Sequence, residues 1–417
     1  MGDSTAWRDG ELTVSAEEAR RLLSAPCLAD VRVSWASPGQ SVRIVKVLDV
    51  VEPRTKGAGG GGIFPGWLEG GNGEAPGQGV THVLRGAAVV VAGYLPRAQE
   101  AVIDMSGPAA ELSPFGGTHN LVIEFTPAAD ADWADVDDAL RRGSLALAAR
   151  LAEAPLDAPP DEEENVPDPG AVDGLPRIAA ITNLQTQGLF KDVFVRGASF
   201  NGQAPTLIDP GEIDDGAVVS GQYGHPSLRN PTWVHQNHPV ANALRARHGV
   251  DLAFGGVVLS PEPVSAADKA RISTAAAELC AQAGFDAVIL TKEGGGNADA
   301  DMALKMDALE DMGIATVGLF AEMAGPDGTG PPIVVAPERA TAMVSTGNYD
   351  TRLSLPEMQR ALGGDELALL GVPATSAMEL PTAVILAALS PLGWGRLTCS
   401  PEATGTAATG AAATGNV

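Results

Sequence analysis

The sequence predicts an α/β protein with an N-terminal mainly β domain and a C-terminal α/β domain built on a mostly parallel sheet. Three observations indicate this division. Short apolar runs with strand-like alternation fill the first part of the chain, a proline-rich acidic segment follows, and apolar runs then alternate with helical stretches. Strands that alternate with helices at this spacing are typical of a parallel sheet with helices on both faces. A chain of 417 residues is long enough for two such cores.

The predicted N-terminal domain covers residues 1–153. Strands are expected within it at residues 31–35, 42–48, 83–91 and 121–125. Residues 57–79 are rich in glycine, but they contain neither Gly-Lys-Ser/Thr nor GxGxxG before a helix, so a connecting loop is favoured over a phosphate site. Leucines recur on one face of residues 137–152, which indicates a helix at the end of the domain.

Residues 154–175 combine prolines with a run of acidic residues and bury little surface, which indicates a linker. The α/β domain is expected over residues 176–400. Its strands are predicted at residues 178–182, 217–220, 252–259, 287–290 and 314–320, and its helices at 265–283 and 299–312. Residues 401–417 form an Ala/Gly/Thr tail that is expected to be disordered.

The composition argues against several classes of function. A net charge of −25 disfavours nucleic acid as a partner, because phosphate backbones need clustered Lys and Arg. The three cysteines form no CxxC pair, so neither a zinc ribbon nor a disulfide framework is indicated. The first 25 residues are charged, and no apolar run is long enough for a membrane helix. We therefore expect a cytoplasmic protein without a signal peptide or membrane partner.

Candidate functional residues follow predicted strands of the α/β domain, at residues 220–225, 293–297 and 347–348. Ligands gather at the carboxyl ends of parallel strands. Glu293 could act as a general acid or base or bind a substrate ammonium, and the glycines after it would admit a ligand. The alternative is that Glu293 caps the helix that begins near Asn297. The functional role is favoured, and Glu293 and Asn297 are catalytic candidates.

Three of the six histidines, His225, His235 and His238, lie within one short stretch. His235 and His238 are three residues apart, which on a helix would place both on one face, where Glu293 or Asp301 could complete a metal site. Prolines make much of this stretch irregular, so a structural or hydrogen-bonding role is favoured over metal ligation. Whether a metal binds stays open, and His235 is a third catalytic candidate.

Short segments spread from residue 41 to residue 395 occur in a characteristic order. They are Ser41-Val-Arg-Ile, Val51-Glu-Pro-Arg54, Phe64-Pro-Gly66, Thr81-His-Val-Leu-Arg, Ile103-Asp-Met-Ser-Gly-Pro, Ser113-Pro-Phe, Leu184-Gln-Thr-Gln-Gly-Leu189, Ser220-Gly-Gln-Tyr-Gly-His225, Trp233-Val-His-Gln-Asn-His-Pro239, Glu293-Gly-Gly-Gly-Asn297, Gly347-Asn348 and Leu392-Gly-Trp-Gly395. In these segments the chain resembles the precursor of the alpha and beta subunits of component B in the glycine, sarcosine and betaine reductases, which are related to D-proline reductase.

One position departs from the family pattern. The resemblance implies a precursor that undergoes self-cleavage in the glycine and proline reductases. The cut falls before a cysteine, and this cysteine becomes an N-terminal pyruvoyl group. The carbonyl of that group can bind the substrate amine as a Schiff base. Here that site reads Gln222-Tyr223. The chemistry needs a β-hydroxyl or thiol that attacks the preceding carbonyl and is then eliminated, and tyrosine has none. Ser220 is out of register. We therefore expect an unprocessed chain that has no pyruvoyl group or other cofactor.

The resemblance also implies a role. This chain would bind a small amine or amino-acid-like substrate beside a second component B-like subunit. The redox cysteine or selenocysteine of that subunit would cleave a carbon–heteroatom bond of the carbon–nitrogen type reductively. The substrate-binding candidates are Ser220, His225, Gln236, Asn237, Asp301 and Asn348. Two alternatives stay open: a diverged complex with a hydrolytic or other non-reductive reaction, and a non-catalytic chain that stabilises the active subunit.

Overall fold

The computed structural model describes residues 1–57, 62–68, 75–96, 98–186, 193–220 and 226–393. The α-helices in these ranges are α1 (Ala16–Leu22), α2 (Pro108–Leu112), α3 (Trp133–Glu153), α4 (Pro210–Asp214), α5 (Thr232–Gln236), α6 (Pro239–Arg245), α7 (Ala266–Ala283) and α8 (Asn297–Asp311). Short 3₁₀ turns lie at Pro114–Gly117, Pro226–Leu228 and Thr382–Val384. None of the helices in the described part of the chain combines the length and apolar character needed to cross a membrane.

The strands in the described ranges are mostly short. They are β1 (Ala6–Arg8), β2 (Glu11–Thr13), β3 (Leu28–Ala36), β4 (Val42–Ile44), β5 (Val47–Val51), β6 (Arg54–Thr55), β7 (His82–Val83), β8 (Ala87–Ala92), β9 (Ile103–Asp104), β10 (His119–Pro127), β11 (Arg177–Gln185), β12 (Phe194–Val195), β13 (Ala198–Ser199), β14 (Thr206–Ile208), β15 (Val218–Val219), β16 (Ala253–Glu262), β17 (Ala287–Thr291), β18 (Ala315–Glu322), β19 (Ala342–Asn348), β20 (Arg352–Leu355), β21 (Arg360–Leu362), β22 (Glu366–Leu367), β23 (Val372–Pro373) and β24 (Met378–Pro381).

The N-terminal half is organised around a four-stranded sheet in the order β3-β10-β8-β5. Only the central pair, β10 and β8, is parallel. Helix α3 packs on this sheet and begins after Asp132, whose carboxylate accepts the N–H of Ala134 at 2.7 Å. The apolar face of α3 is buried, because its leucines recur at helical spacing as the sequence predicted.

The C-terminal half contains a six-stranded sheet in the order β14-β16-β11-β17-β18-β19. All pairs are parallel except the edge pair β14 and β16. Helices α7 and α8 pack on one face, while α6 packs against β11 and β16. Helix α7 is capped by Ser265 and ends at Gly284, whose φ of 71° suits glycine. The predicted α/β class with a mostly parallel sheet is therefore confirmed.

A third sheet joins the two ends of the chain. Its order is β21-β4-β9, and β21 runs parallel to β4. At its centre the fully buried Arg43 guanidinium contacts both carboxylate oxygens of Asp104, at 2.7 and 2.9 Å. The same guanidinium donates to the carbonyls of Pro356, Ala374 and Ser376. No strand was predicted in residues 350–382, and this segment completes a sheet of the N-terminal half.

Candidate functional site

The candidate site lies at the carboxyl ends of β11, β16 and β17, which are neighbours in the parallel sheet. Gln185 ends β11, Glu262 ends β16, and Glu293 follows β17 by two residues. All three side chains are buried. Because β11 is paired with β16 on one side and with β17 on the other, the fold brings these polar groups together. Of the three, only Glu293 was a candidate from the sequence, and Gln185 and Glu262 were missed.

Backbone N–H groups fix the position of the Glu293 carboxylate, which has no solvent exposure. Its Oε2 accepts from the N–H of Gln185 at 3.0 Å, and its Oε1 accepts from the N–H of Asn230 at 3.2 Å. At the start of α8, Asp299 rather than Glu293 accepts the N–H of Gly296. The geometry therefore places Glu293 among the strand ends and gives the helix cap to Asp299. Asn297, at the first turn of α8, is exposed.

His235 faces Glu293 from the short helix α5. Its Nε2 lies 3.6 Å from Glu293 Oε1, and the ring is fully buried. Neither ring nitrogen has a hydrogen-bond partner among the described residues. The ring of Trp233 packs edge-on against Phe115 at 5.5 Å between centroids, which helps to hold α5 in place. Buried polar nitrogens without partners are uncommon, and they favour a site for a polar ligand or water.

His238 does not share a helix face with His235, which corrects the geometry behind the metal hypothesis. Helix α5 ends at Gln236, and His238 is the N-cap of α6. Its Nδ1 accepts the N–H of Ala241 at 3.2 Å, and its Nε2 lies 2.7 Å from Thr182 Oγ1. Burial, followed by the charges of His235 and Arg245, lowers the pKa of His238 to about 3.

Both His238 nitrogens therefore serve the fold rather than a metal. The described residues contain no group of three or more His, Cys, Asp or Glu placed to hold a metal ion.

Three buried lysines surround the strand ends, and the sequence analysis missed them. Lys269 pairs with Asp301, Lys292 Nζ lies 2.7 Å from Asp299 Oδ1, and Lys305 Nζ donates to Asn183 Oδ1 at 2.6 Å. Burial lowers the pKa of Lys305 to about 8, against the opposing effect of nearby carboxylates. Burial and the charges of Asp301 and Glu293 raise the pKa of Glu262 well above its usual range. In the sequence, the only indication that a lysine lies near the site was the position of Lys292 directly before Glu293.

Gln236 and Asn237 lie beside these groups in sequence, but they contact a different part of the fold. Gln236 Oε1 accepts from the N–H of Glu52 at 2.9 Å, and its Nε2 donates to the Glu52 carbonyl at 3.2 Å. Asn237 Nδ2 donates to Glu52 Oε2 at 2.9 Å, and its Oδ1 accepts from Arg54 at 3.0 Å. These contacts attach α5 to the segment after β5.

Ser220 is anchored on both sides of its peptide unit. Its N–H donates to Thr232 Oγ1 at 2.9 Å, and its carbonyl accepts from Arg141. The Thr232 hydroxyl in turn donates to Asp49 Oδ2 at 2.6 Å. Burial raises the pKa of Asp49, whereas its hydrogen bonds from Thr232 oppose that shift. These hydrogen bonds fix the position of the Ser220 backbone.

The remaining candidates are placed elsewhere or lie outside the described residues. Asn348 ends β19, where its Nδ2 donates to the Gly325 carbonyl at 2.7 Å and its Oδ1 accepts from the N–H of Asp350. The structure does not bring Asn348 into contact with Glu293. Gln222, Tyr223 and His225 lie outside the described residues.

Comparison with known proteins places the chain. A family model described as "Glycine/sarcosine/betaine reductase component B subunits" matches residues 1–387. The "Glycine reductase complex component B subunits alpha and beta" of Acetoanaerobium sticklandii is 37% identical over 414 residues, which cover 95% of this chain and 96% of that protein. The protein of the same name in Peptoclostridium acidaminophilum is 38% identical over 370 residues, covering 87% and 86%.

The "Sarcosine reductase complex component B subunit alpha" of Peptoclostridium acidaminophilum is 35% identical over 376 residues, which cover 87% of this chain and 86% of that protein. No solved structure matches the chain. The match to the family model extends over most of the sequence, and the identities hold over nearly complete lengths. The chain therefore belongs to the glycine/sarcosine/betaine reductase component B family of oxidoreductase subunits.

Proposed function

We propose that this chain is the substrate-binding subunit of a component B-like complex that cleaves a carbon–nitrogen bond of a small amine or amino-acid-like substrate. The relatives named above are glycine and sarcosine reductase component B subunits. The observation that carries the proposal is the buried pair of Glu293 and His235 at the strand ends. A second subunit with a redox cysteine or selenocysteine supplies two electrons. The carbon–nitrogen bond breaks, the carbon takes up a proton to form a C–H bond, and the nitrogen leaves as an amine.

The geometry suits recognition of an amine. The Glu293 carboxylate is oriented before any ligand arrives, because two backbone N–H groups hold its two oxygens. A preorganised carboxylate in a buried site attracts a cationic nitrogen more strongly than one in water. His235 presents two unsatisfied nitrogens next to it, so the ring can accept a proton from the substrate or donate one.

The pyruvoyl group of the processed relatives does not fit this chain. Tyr223, at the corresponding position, offers no β-heteroatom for peptide attack and elimination. A fully substituted amine cannot form an imine with such a carbonyl, so a site without it can still serve a tertiary or quaternary amine.

We expect the purified protein to be one intact chain without a reactive carbonyl. The intact mass under denaturing conditions, with and without a hydroxylamine-type carbonyl probe, measures this directly. A single unlabelled mass agrees with the proposal, because Tyr223 cannot generate the cofactor. Two fragments that meet near residues 219–223, with the second fragment labelled, would restore the pyruvoyl mechanism and contradict the unprocessed state.

Replacing Glu293 with Gln, or His235 with Asn, should lower turnover of the reconstituted complex at least about tenfold, the range in which loss of one preorganised polar contact falls. Steady-state turnover with a dithiol reductant and glycine, sarcosine or betaine measures the effect. Glu278→Gln, on the exposed surface of α7, is the matched control and should retain full turnover. Full turnover in both site variants would favour the non-catalytic alternative, and product formed without the dithiol would favour the hydrolytic one.

A further inference from the structure

Glu262 is a buried carboxyl group with few hydrogen-bond donors or cations to stabilise its ionised form. It ends β16, and its side chain is 2% exposed. Among the described residues its carboxylate accepts one hydrogen bond, from the N–H of Glu293 to Oε1 at 3.3 Å, and takes part in no ion pair. A buried carboxylate without an ion pair or several donors is costly, so such a group holds a proton.

The cations near Glu262 are already paired with other groups. Lys292 contacts Asp299 and the carbonyl of Gly294. Lys305 donates to Asn183, and Lys269 is paired with Asp301. The negative charges of Asp301 and Glu293 disfavour ionisation of Glu262, and the positive charges of Lys305 and Lys292 oppose that effect. Neither of these two lysines forms a direct ion pair with Glu262.

Independent observations around Glu293 favour a binding site for a polar ligand. His235 is fully buried, and both of its nitrogens lack a hydrogen-bond partner among the described residues. Gln185 Oε1 and Asn230 Nδ2 are likewise buried without partners. The His235 ring lies 3.6 Å from the Glu293 carboxylate, and the backbone N–H groups of Gln185 and Asn230 donate to that carboxylate. Glu262 accepts the backbone N–H of Glu293. The residues that carry the unsatisfied polar atoms, and the carboxyl group of Glu262, thus each contact Glu293 through a side chain or the backbone.

We propose that Glu262 is the second carboxyl group of an ammonium-binding subsite at Glu293, protonated while the subsite is empty and ionised when a cationic amine binds. The inference rests on the proposed function and goes beyond it, because it sets the charge of the ligand that the site accepts. In the exchange, the O–H bond of Glu262 breaks, its proton passes to solvent, and the ammonium binds to the resulting carboxylate. No net charge is added to the buried site.

Calorimetric titration of the full chain with methylammonium chloride tests the exchange. At pH 6 in two buffers of different ionisation enthalpy, we expect release of about one proton per bound cation. Between pH 5 and the pKa of Glu262, affinity should rise about tenfold per pH unit. Glu262→Gln resembles the protonated acid in shape and charge, so it should fold normally, bind methylammonium at least about tenfold more weakly and release no proton.

Two controls isolate Glu262. Glu278→Gln should retain wild-type proton release, and sodium chloride at the same concentration should release none. Undetectable methylammonium binding to the wild-type chain, or binding without proton release, overturns the inference. Proton release that persists in Glu262→Gln also overturns it, because another group would then be the source. The proposed function fails separately, when Glu293→Gln and His235→Asn both retain full turnover.

Discussion

Replacing Arg43 with Met should lower the free energy of unfolding by about 3–5 kcal/mol, because it leaves the buried Asp104 carboxylate without its partner. The same change removes the donors to the carbonyls of Pro356, Ala374 and Ser376. Burial raises the pKa of Asp104 even though Arg43 opposes the shift, so desolvation of this ion pair outweighs its attraction. Urea unfolding followed by far-UV circular dichroism measures the loss.

The double variant Arg43→Met/Asp104→Leu distinguishes two contributions to the loss of stability. One is the cost of an unpaired buried Asp104 carboxylate, and the other is the loss of the hydrogen bonds that Arg43 donates to the backbone carbonyls. Removing both charges should restore part of the stability, since an apolar pair avoids the desolvation cost. The control is Arg32→Met, because Arg32 is exposed and lies 3.9 Å from Asp30, and it should change stability by no more than about 0.5 kcal/mol. A loss in Arg43→Met as small as that in Arg32→Met would show that this buried pair does not hold the C-terminal segment.

Acid should destabilise the fold through His238. Its pKa is lowered from 6.5 to about 3 by burial, so the unfolded chain binds a proton in this range while the folded chain does not. Stability contributed by His238 is therefore fully present above pH 6.5 and is lost as the pH falls toward 3. Between pH 7 and 5 the loss from this group should be about 2 kcal/mol.

The substitution His238→Asn tests whether His238 causes the loss of stability in acid, because an asparagine can still cap α6 but does not titrate. The His238→Asn variant should lose the contact with Thr182 and be less stable at pH 7, yet show a flatter decline between pH 7 and 5. Buried Asp49, Asp104 and Glu262 have raised pKa values and act in the opposite sense, so only the difference between variant and wild type isolates His238. His119→Asn, at an exposed position, is the control. Parallel curves for wild type and His238→Asn would contradict the assignment.

Local patterns were enough to predict the class of fold. The alternation of apolar runs and helical stretches is encoded within short windows, and the parallel sheet follows from it. The pairing of β21 with β4 could not be predicted, since each strand has three residues and they lie far apart in sequence. Domain boundaries at 153 and 176 stay a prediction.

The candidate site was predicted in part for a similar reason. Glu293 follows a strongly apolar strand, so its place at the sheet edge can be read from sequence. Which residues of the His235–His238 stretch face Glu293 depends on how the five-residue helix α5 is rotated against the sheet. The three lysines escaped prediction because lysine is rarely buried, and only the fold supplies the carboxylates that make burial possible.

The sheet of β21, β4 and β9 determines whether the two parts of the chain would stay associated after a backbone break between Ser220 and Pro226. Strands β4 and β9 precede that position and β21 follows it, while Asp49 and Glu52 are hydrogen-bonded to Thr232 and Gln236 across it. Two fragments made there would contribute strands to the same β-sheets. They would remain associated as one non-covalent complex until denatured. In this architecture the shared sheets and the contacts between Asp49, Glu52, Thr232 and Gln236 would hold the two fragments together without a covalent link at that position.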